Sequence, residues 1–160
     1  MTQHLATKLI SALNDKKLMI RCAESCTAGL IMAELTSISG SSAVVDRGYV
    51  TYSNQAKEEM LGVRPLTLAT YGAVSAETAF EMVQGTVLSD TSHLAGIAIT
   101  GIAGPNGGTE DKPVGTVWIG TIMPGKDALV RHYHFTGDRD AVRAQSVSAA
   151  LEQLLTLLNS

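Results

Sequence analysis

Ala23-Glu24-Ser25-Cys26-Thr27-Ala28-Gly29 joins a short apolar strand, Leu18 to Cys22, to a segment whose apolar residues Leu30, Ile31, Leu35 and Ile38 repeat at helical spacing. The first amides of a helix have no partner within it and carry the positive end of the helix dipole, so an oxyanion or phosphate is stabilised there. Read as the residue at the helix start, Ser25 sets a nucleophilic oxygen beside ready-made donors. A serine in that place is also a common N-cap, so position alone leaves catalysis and capping both open.

Working outward, Leu5, Leu9, Ile10 and Leu13 predict a helix that ends at Asn14-Asp15. Val44 to Tyr52 has the β-branched and aromatic content of a strand. Asn54 is the expected cap of a helix through Met60 and Leu61, closed by Gly62. Pro65 to Tyr71 reads as a short helix broken by Gly72. Ser75 caps a helix with Ala76, Ala79, Phe80, Val83 and Val87 on one face. His93 to Thr100 is an apolar strand, and Thr116–Met123 with Ala128–Phe135 reads as a hairpin about Pro124-Gly125. A last helix starts near Asp138 and buries Val147, Leu151, Leu154, Leu155 and Leu158. Strands alternating with helices, then a hairpin and a closing helix, predict a single α/β domain over residues 1–160, a layered α/β/α sandwich with a mixed sheet.

Composition narrows the function. Hydrophobic residues at 45% and charged residues at 17% exclude a disordered chain. A net charge of −3 gives no basic field for nonspecific nucleic-acid binding, so an anionic ligand has to be met by a local cluster. The amino terminus has no leader pattern, and no stretch approaches the roughly 20 apolar residues of a membrane span. A cytoplasmic protein without a membrane partner is expected. Cys22 and Cys26 fit neither a zinc motif nor a disulfide framework and read as reduced thiols. His132 and His134 share a strand face, but no Asp, Glu or Cys clusters with them, and no metal is expected.

Ligands gather outside the carboxyl ends of strands in open α/β sheets. Ser25, Tyr52-Ser53-Asn54 and Thr100-Gly101 each follow a strand, so three strand ends converge if those strands are parallel. Lys57 is a candidate base in a serine–lysine pair, provided that desolvation or nearby positive charge lowers its pKa; most lysines on short helices are simply solvated. Tyr52 is placed to relay a proton or to orient Ser25, or else to pack. Thr100 to Thr109 holds Gly101, Gly104, Gly107 and Gly108, whose backbone permits close approach by a ligand. Its spacing matches neither a P-loop nor a dinucleotide fingerprint, so no cofactor is expected. Arg139 and Arg143 lie one turn apart at a helix start, a candidate phosphate site unless Asp138 and Asp140 neutralise them. Cys26 is a rival nucleophile whose pKa a helix N-terminus would lower.

Glu24-Ser25-Cys26-Thr27-Ala28-Gly29 resembles the Glu-Ser-Cys-Thr-Gly-Gly signature of the CinA carboxy-terminal domain family, with Ala28 in place of a glycine. Gly48 to Lys57, Gly72-Ala73-Val74-Ser75, Thr100 to Thr109, Lys112 to Val117 and Gly137-Asp138-Arg139 are similar to its further blocks, in order. The resemblance implies an amidohydrolase that converts nicotinamide mononucleotide to nicotinate mononucleotide and ammonia, in pyridine nucleotide recycling. It implies Ser25 as nucleophile with Tyr52 and Lys57 as catalytic partners. Thr27, Gly29, Asn54, Thr100, Gly101, Gly104, Gly107, Gly108, Arg139 and Arg143 are then the expected substrate contacts. Many members carry a larger amino-terminal domain for which this chain has no room, so a stand-alone form is expected, as a homo-oligomer. The alternatives are a nucleotide-binding regulatory module without turnover, which needs no neutral lysine, and an interaction protein in competence or DNA damage. The acidic balance argues against direct DNA contact.

Overall fold

The structure, a computed structural model, describes residues 2–160. Helix α1 (Thr2–Asp15) buries Ala6, Leu9, Ile10 and Leu13, and β1 (Met19–Glu24) follows it. Helix α2 (Leu30–Thr36) leads through a short 3-10 turn to β2 (Val45–Val50). Helices α3 (Asn54–Leu61), α4 (Pro65–Tyr71) and α5 (Ala76–Val87) come next. Strands β3 (Leu94–Gly101), β4 (Thr116–Ile122) and β5 (Leu129–His134) and helix α6 (Arg139–Leu158) complete the chain.

The sheet order is β2-β1-β3-β4-β5. Strands β1, β2 and β3 are parallel, whereas β4 and β5 run antiparallel as the predicted hairpin. Alternate residues of the central strands point to opposite faces. Ile20, Cys22, Ile97 and Ile99 meet α1, α2 and α6 in one core, and Ala23 and Ala98 meet Leu61, Leu68, Met82 and Val83 of the α3–α5 layer in the other. The chain is the expected α/β/α sandwich with a mixed sheet, and the parallel pairing of its three strands ends in register at Glu24, Val50 and Ile99, two residues before the end of β3.

Three local expectations are corrected. Ser25 is not a helix cap: Ser25 to Gly29 forms a turn, and α2 starts at Leu30 behind Gly29, which has φ 103° and no capping side chain. The buried Glu24 carboxylate takes the helix amides instead, accepting from Ile31 N at 2.9 Å and Met32 N at 3.1 Å. Delaying the helix leaves Leu30 38% exposed, outside the buried stripe. At α3 the cap is Ser53, whose hydroxyl accepts from Ala56 N, and Asn54 is the first helical residue. On α5 the buried face is rotated, leaving Phe80 39% exposed while Thr78, Met82 and Thr86 go inside. Threonine takes those places because its hydroxyl can bond locally, Thr78 to the Gly72 carbonyl and Thr86 to the Val83 carbonyl.

Gly85, on α5, governs how closely α3 packs against that helix. A Cβ there would overlap the Leu61 carbonyl oxygen at the end of α3, and backbone has nowhere to retreat. Gly85→Ala is therefore expected to destabilise the protein by about 1–3 kcal/mol, despite the better helix propensity of alanine. Urea denaturation measures it, and a midpoint at or above that of the wild type would show that α3 can shift freely.

Candidate active site

The ladder between β1 and β3 continues one step past the strand end, where Ser25 N donates to Ile99 O at 3.1 Å. On the other side Thr51 N donates to Glu24 O at 2.9 Å. Two neighbouring strand ends thus fix the backbone of Ser25 and Thr51 before any side chain is considered. Lys57, in the first turn of α3, reaches back beneath them and is only 1% exposed. Its Nζ lies 2.9 Å from Ser25 Oγ, 2.8 Å from the Thr51 carbonyl and 3.3 Å from the Tyr52 carbonyl. All three partners are neutral, and among the described residues no carboxylate forms an ion pair with this lysine. Burial accordingly lowers its pKa from 10.5 to about 8.

A cavity of about 180 Å³ opens over this pair, walled by Ser25, Cys26, Tyr52, Lys57, Thr100 and Gly101. Ala73, Val74, Ala103 and Arg139 close its rim. Ala103 and Arg139 also border a second hollow of about 570 Å³ that continues along Pro105, Val114 and Asp138. A hollow of about 590 Å³ on the outer α4–α5 face, lined by Arg64, Tyr71, Phe80 and Val130, contains none of the candidate residues.

The structure divides the expected residues into two groups. Ser25, Tyr52, Lys57, Thr100, Gly101 and Arg139 come together at the small cavity. Thr27 is fully buried and donates to Glu24 instead, and Gly29 starts α2. Asn54 is exposed on the outside of α3. Gly107 and Gly108 are exposed away from the cavity, and Gly104 contributes its carbonyl to Arg139 Nη1 at 2.7 Å. Arg143 does not share the cavity with Arg139. Its Nε donates to the Cys26 carbonyl at 3.0 Å and its Nη2 to the Thr27 carbonyl at 3.4 Å.

The Tyr52 side chain is 61% exposed, and its hydroxyl accepts from Arg139 Nη2 at 3.3 Å, so only the Tyr52 carbonyl reaches Lys57. Burial pushes the Cys26 thiol up to about 11, opposite to the lowering expected at a helix start, because no helix starts there. His132 packs on Trp118 with ring centroids 4.8 Å apart. Among the described residues no three His, Cys, Asp or Glu side chains gather as a metal would need. No described helix is long and apolar enough to cross a membrane.

Sequence reasoning gave no role to Glu24, to the Thr51 carbonyl or to Ala73 and Val74. Ala73 accepts from Thr100 Oγ1 at 2.8 Å, and Lys112 Nζ ties the glycine-rich segment to the Tyr71 carbonyl at 2.6 Å. The Gly72-Ala73-Val74-Ser75 block was the available signal.

The model of the CinA C-terminal domain matches residues 2–158. The chain belongs to that family. It is 48% identical over 153 residues to the nicotinamide-nucleotide amidohydrolase PncC of Enterobacter agglomerans, covering 94% of this chain and 92% of that protein. The PncC protein of Escherichia coli K12 is 45% identical over 150 residues, covering 94% and 90%. The crystal structure of the competence/damage inducible protein CihA from Agrobacterium tumefaciens superposes with a TM-score of 0.94 at 44% identity, over 99% of this chain and 96% of that one.

Within this CinA domain, Ala28 occupies the place of the signature glycine with φ 47°, a left-handed conformation that costs a residue with a Cβ about 1–2 kcal/mol. Glycine would relieve that strain but adds about 0.4–1 kcal/mol of unfolded-chain freedom. Ala28→Gly is expected to stabilise the fold by up to about 1 kcal/mol, raising Tm by a few degrees in a thermal melt. A lowered Tm would show that the turn accommodates the methyl group without strain.

Proposed function

We propose that this chain hydrolyses the carboxamide of nicotinamide mononucleotide, yielding nicotinate mononucleotide and ammonia, with Ser25 as nucleophile and Lys57 as its base. The observation that carries this reading is the 2.9 Å contact between Ser25 Oγ and a buried Lys57 Nζ whose other partners are carbonyl oxygens. Carbonyls can only accept. A neutral Lys57 therefore spends its two N–H bonds on Thr51 O and Tyr52 O, and its lone pair is left facing Ser25 Oγ–H. The backbone thus selects the orientation a base needs.

In this reading Ser25 Oγ attacks the amide carbon as its proton passes to Lys57. Lys57 then delivers that proton to the departing nitrogen, the C–N bond breaks, and a nicotinoyl ester remains on Ser25. Water, deprotonated by the again neutral Lys57, hydrolyses the ester and regenerates the serine. Backbone amides next to Ser25 receive the oxyanion. Ligand pockets commonly span about 300–1,000 Å³; at about 180 Å³ the inner cavity suits the carboxamide ring, with ribose and phosphate in the adjoining hollow. Arg139, on the border of both, is the proposed phosphate contact, and the Tyr52 ring walls the mouth. Cys26 is held as a neutral thiol and takes no part.

The rival reading, a nucleotide-binding module without turnover, has no use for a buried lysine lacking a counter-charge. The PncC names of relatives covered over most of their length support the enzyme as well. The free, buried Cys22 and Cys26 fit a reducing, cytoplasmic setting. The strongly exposed Leu66 and Leu88 are apolar surface that the proposed homo-oligomer would cover.

Ammonia release from nicotinamide mononucleotide by the purified protein tests the proposal, with Ser25→Ala as the paired variant. Ser25→Ala should lose turnover by at least about a thousandfold and keep its fold, since Ser25 Oγ caps no helix. Near-parental turnover by Ser25→Ala would remove this serine from the chemistry.

The lysine makes a separate expectation. kcat/KM should rise about tenfold per pH unit below pH 8 and level off above it, as Lys57 with its lowered pKa loses its proton. Lys57→Arg should be as inactive as Lys57→Ala, because arginine stays protonated. A flat profile, or an active Lys57→Arg protein, would mean that only positive charge is needed there.

A further inference from the structure

Arg143 has the strongest donors on the nucleophile turn, yet they point at backbone rather than into the cavity. Three successive carbonyls of the turn are engaged. Ser25 O accepts from Ala28 N at 3.2 Å, Cys26 O accepts from Arg143 Nε at 3.0 Å, and Thr27 O accepts from Leu30 N at 3.0 Å and from Arg143 Nη2 at 3.4 Å. In a trans peptide the C=O and the next N–H are antiparallel. The Ser25 carbonyl, turned to accept from Ala28 N, therefore sends the Cys26 amide to the opposite side, and the Arg143 bond to the Cys26 carbonyl holds that residue in place. The only cis bond among the described residues is Gly104–Pro105, so this relation holds throughout the turn.

Among the described residues the Cys26 and Thr27 amides donate to no other residue, whereas the Ser25 and Ala28 amides on either side are both bonded. Cys26 itself lines the cavity beside Ser25. The helix amides behind them are not available to a ligand, because Glu24 occupies those of Ile31 and Met32.

We propose that Arg143 is a positioning residue that holds Cys26, whose amide is the oxyanion donor beside Ser25, by clamping the Cys26 and Thr27 carbonyls, and that it does not bind the substrate's phosphate. The inference rests on the amidohydrolase reading above. It assigns the paired arginines different tasks, Arg139 to the ligand and Arg143 to the transition state. A clamp of this kind lowers kcat when lost and leaves ground-state affinity alone, since the donor it aims matters most once charge develops on the carbonyl oxygen.

The test is steady-state ammonia release from nicotinamide mononucleotide and from nicotinamide riboside, which lacks the phosphate, by the wild type, Arg143→Ala, Arg143→Lys and Arg139→Ala. Arg143→Ala should lose about ten- to a hundredfold in kcat on both substrates, with each KM held within about threefold. Arg139→Ala should instead raise KM for the mononucleotide alone. Arg143→Lys keeps one donor for the Cys26 carbonyl and should recover part of kcat, and guanidinium ion added to Arg143→Ala should do the same. A loss confined to KM of the mononucleotide, or an unchanged kcat, would overturn the assignment. If Arg143→Ala does not fold, Arg143→Lys decides alone: a lowered kcat with KM held supports the clamp, and a raised KM for the mononucleotide only overturns it. A wild type that releases no ammonia overturns the functional reading and this inference with it, whereas an active wild type with Arg143→Ala behaving like Arg139→Ala overturns only the inference.

Discussion

A lysine amine enclosed by Ser25 Oγ and two backbone carbonyls is the constraint around which this domain is arranged. The difference between 10.5 and about 8 corresponds to about 3 kcal/mol spent on desolvating the charged form. The sign follows from proton counting. Between pH 8 and 10.5 the unfolded chain binds the proton that the folded one has released, so stability rises with pH across that window. Below it the folded protein carries an uncompensated buried cation. A fold selected for stability alone would place a methionine or leucine there, or pair the amine with a carboxylate.

The cost is tolerated because the surrounding backbone is over-determined. Parallel pairing of β1 with both β2 and β3 sets the Ser25 and Thr51 backbones side by side, and the ladder bonds of Ser25 and Thr51 extend that register beyond the strand ends. Helix α3 then has to approach closely enough for a lysine in its first turn to reach both. Gly85 permits that approach against Leu61, and Ser53 fixes where α3 begins. Sheet register, one missing Cβ and one cap together determine a distance of 2.9 Å between two side-chain atoms 32 residues apart.

Much of this was legible in the sequence. The strand-turn-helix at Ser25, the hairpin about Pro124-Gly125 and the helix breaks at Gly62 and Gly72 are local signals, each with a backbone reason. The order of blocks brought Ser25, Tyr52 and Lys57 into one reading. Contacts set by side chains distant in sequence were not legible. Arg139 and Arg143 look equivalent on a helical repeat, and only tertiary packing turns one to the cavity and the other to the turn's carbonyls. The role of Glu24 is not legible in the sequence, because a buried carboxylate capping a helix several residues later leaves no periodic trace. The rotated face of α5 was missed for a related reason: a count of apolar residues overlooks threonines that satisfy their hydroxyls locally.

Glu24 also changes which part of the turn can act on a substrate. A helix start is a place for an anion, and here the protein supplies the anion itself. In the proposed reaction the developing charge is met elsewhere, by the Cys26 amide beside Ser25 and by Lys57 once it has taken the serine proton. That second contribution reverses the meaning of the lysine's burial. In the resting site a charged amine is disfavoured because no counter-charge stands near it. In the proposed reaction, as the tetrahedral oxyanion forms, a negative charge appears within the same cavity, and the ammonium that was costly becomes the partner of that charge. On that proposal, desolvation eases loss of the lysine's proton before the reaction and strengthens its attraction to the transition state during it, a differential that a solvated lysine or a permanent salt bridge would not provide.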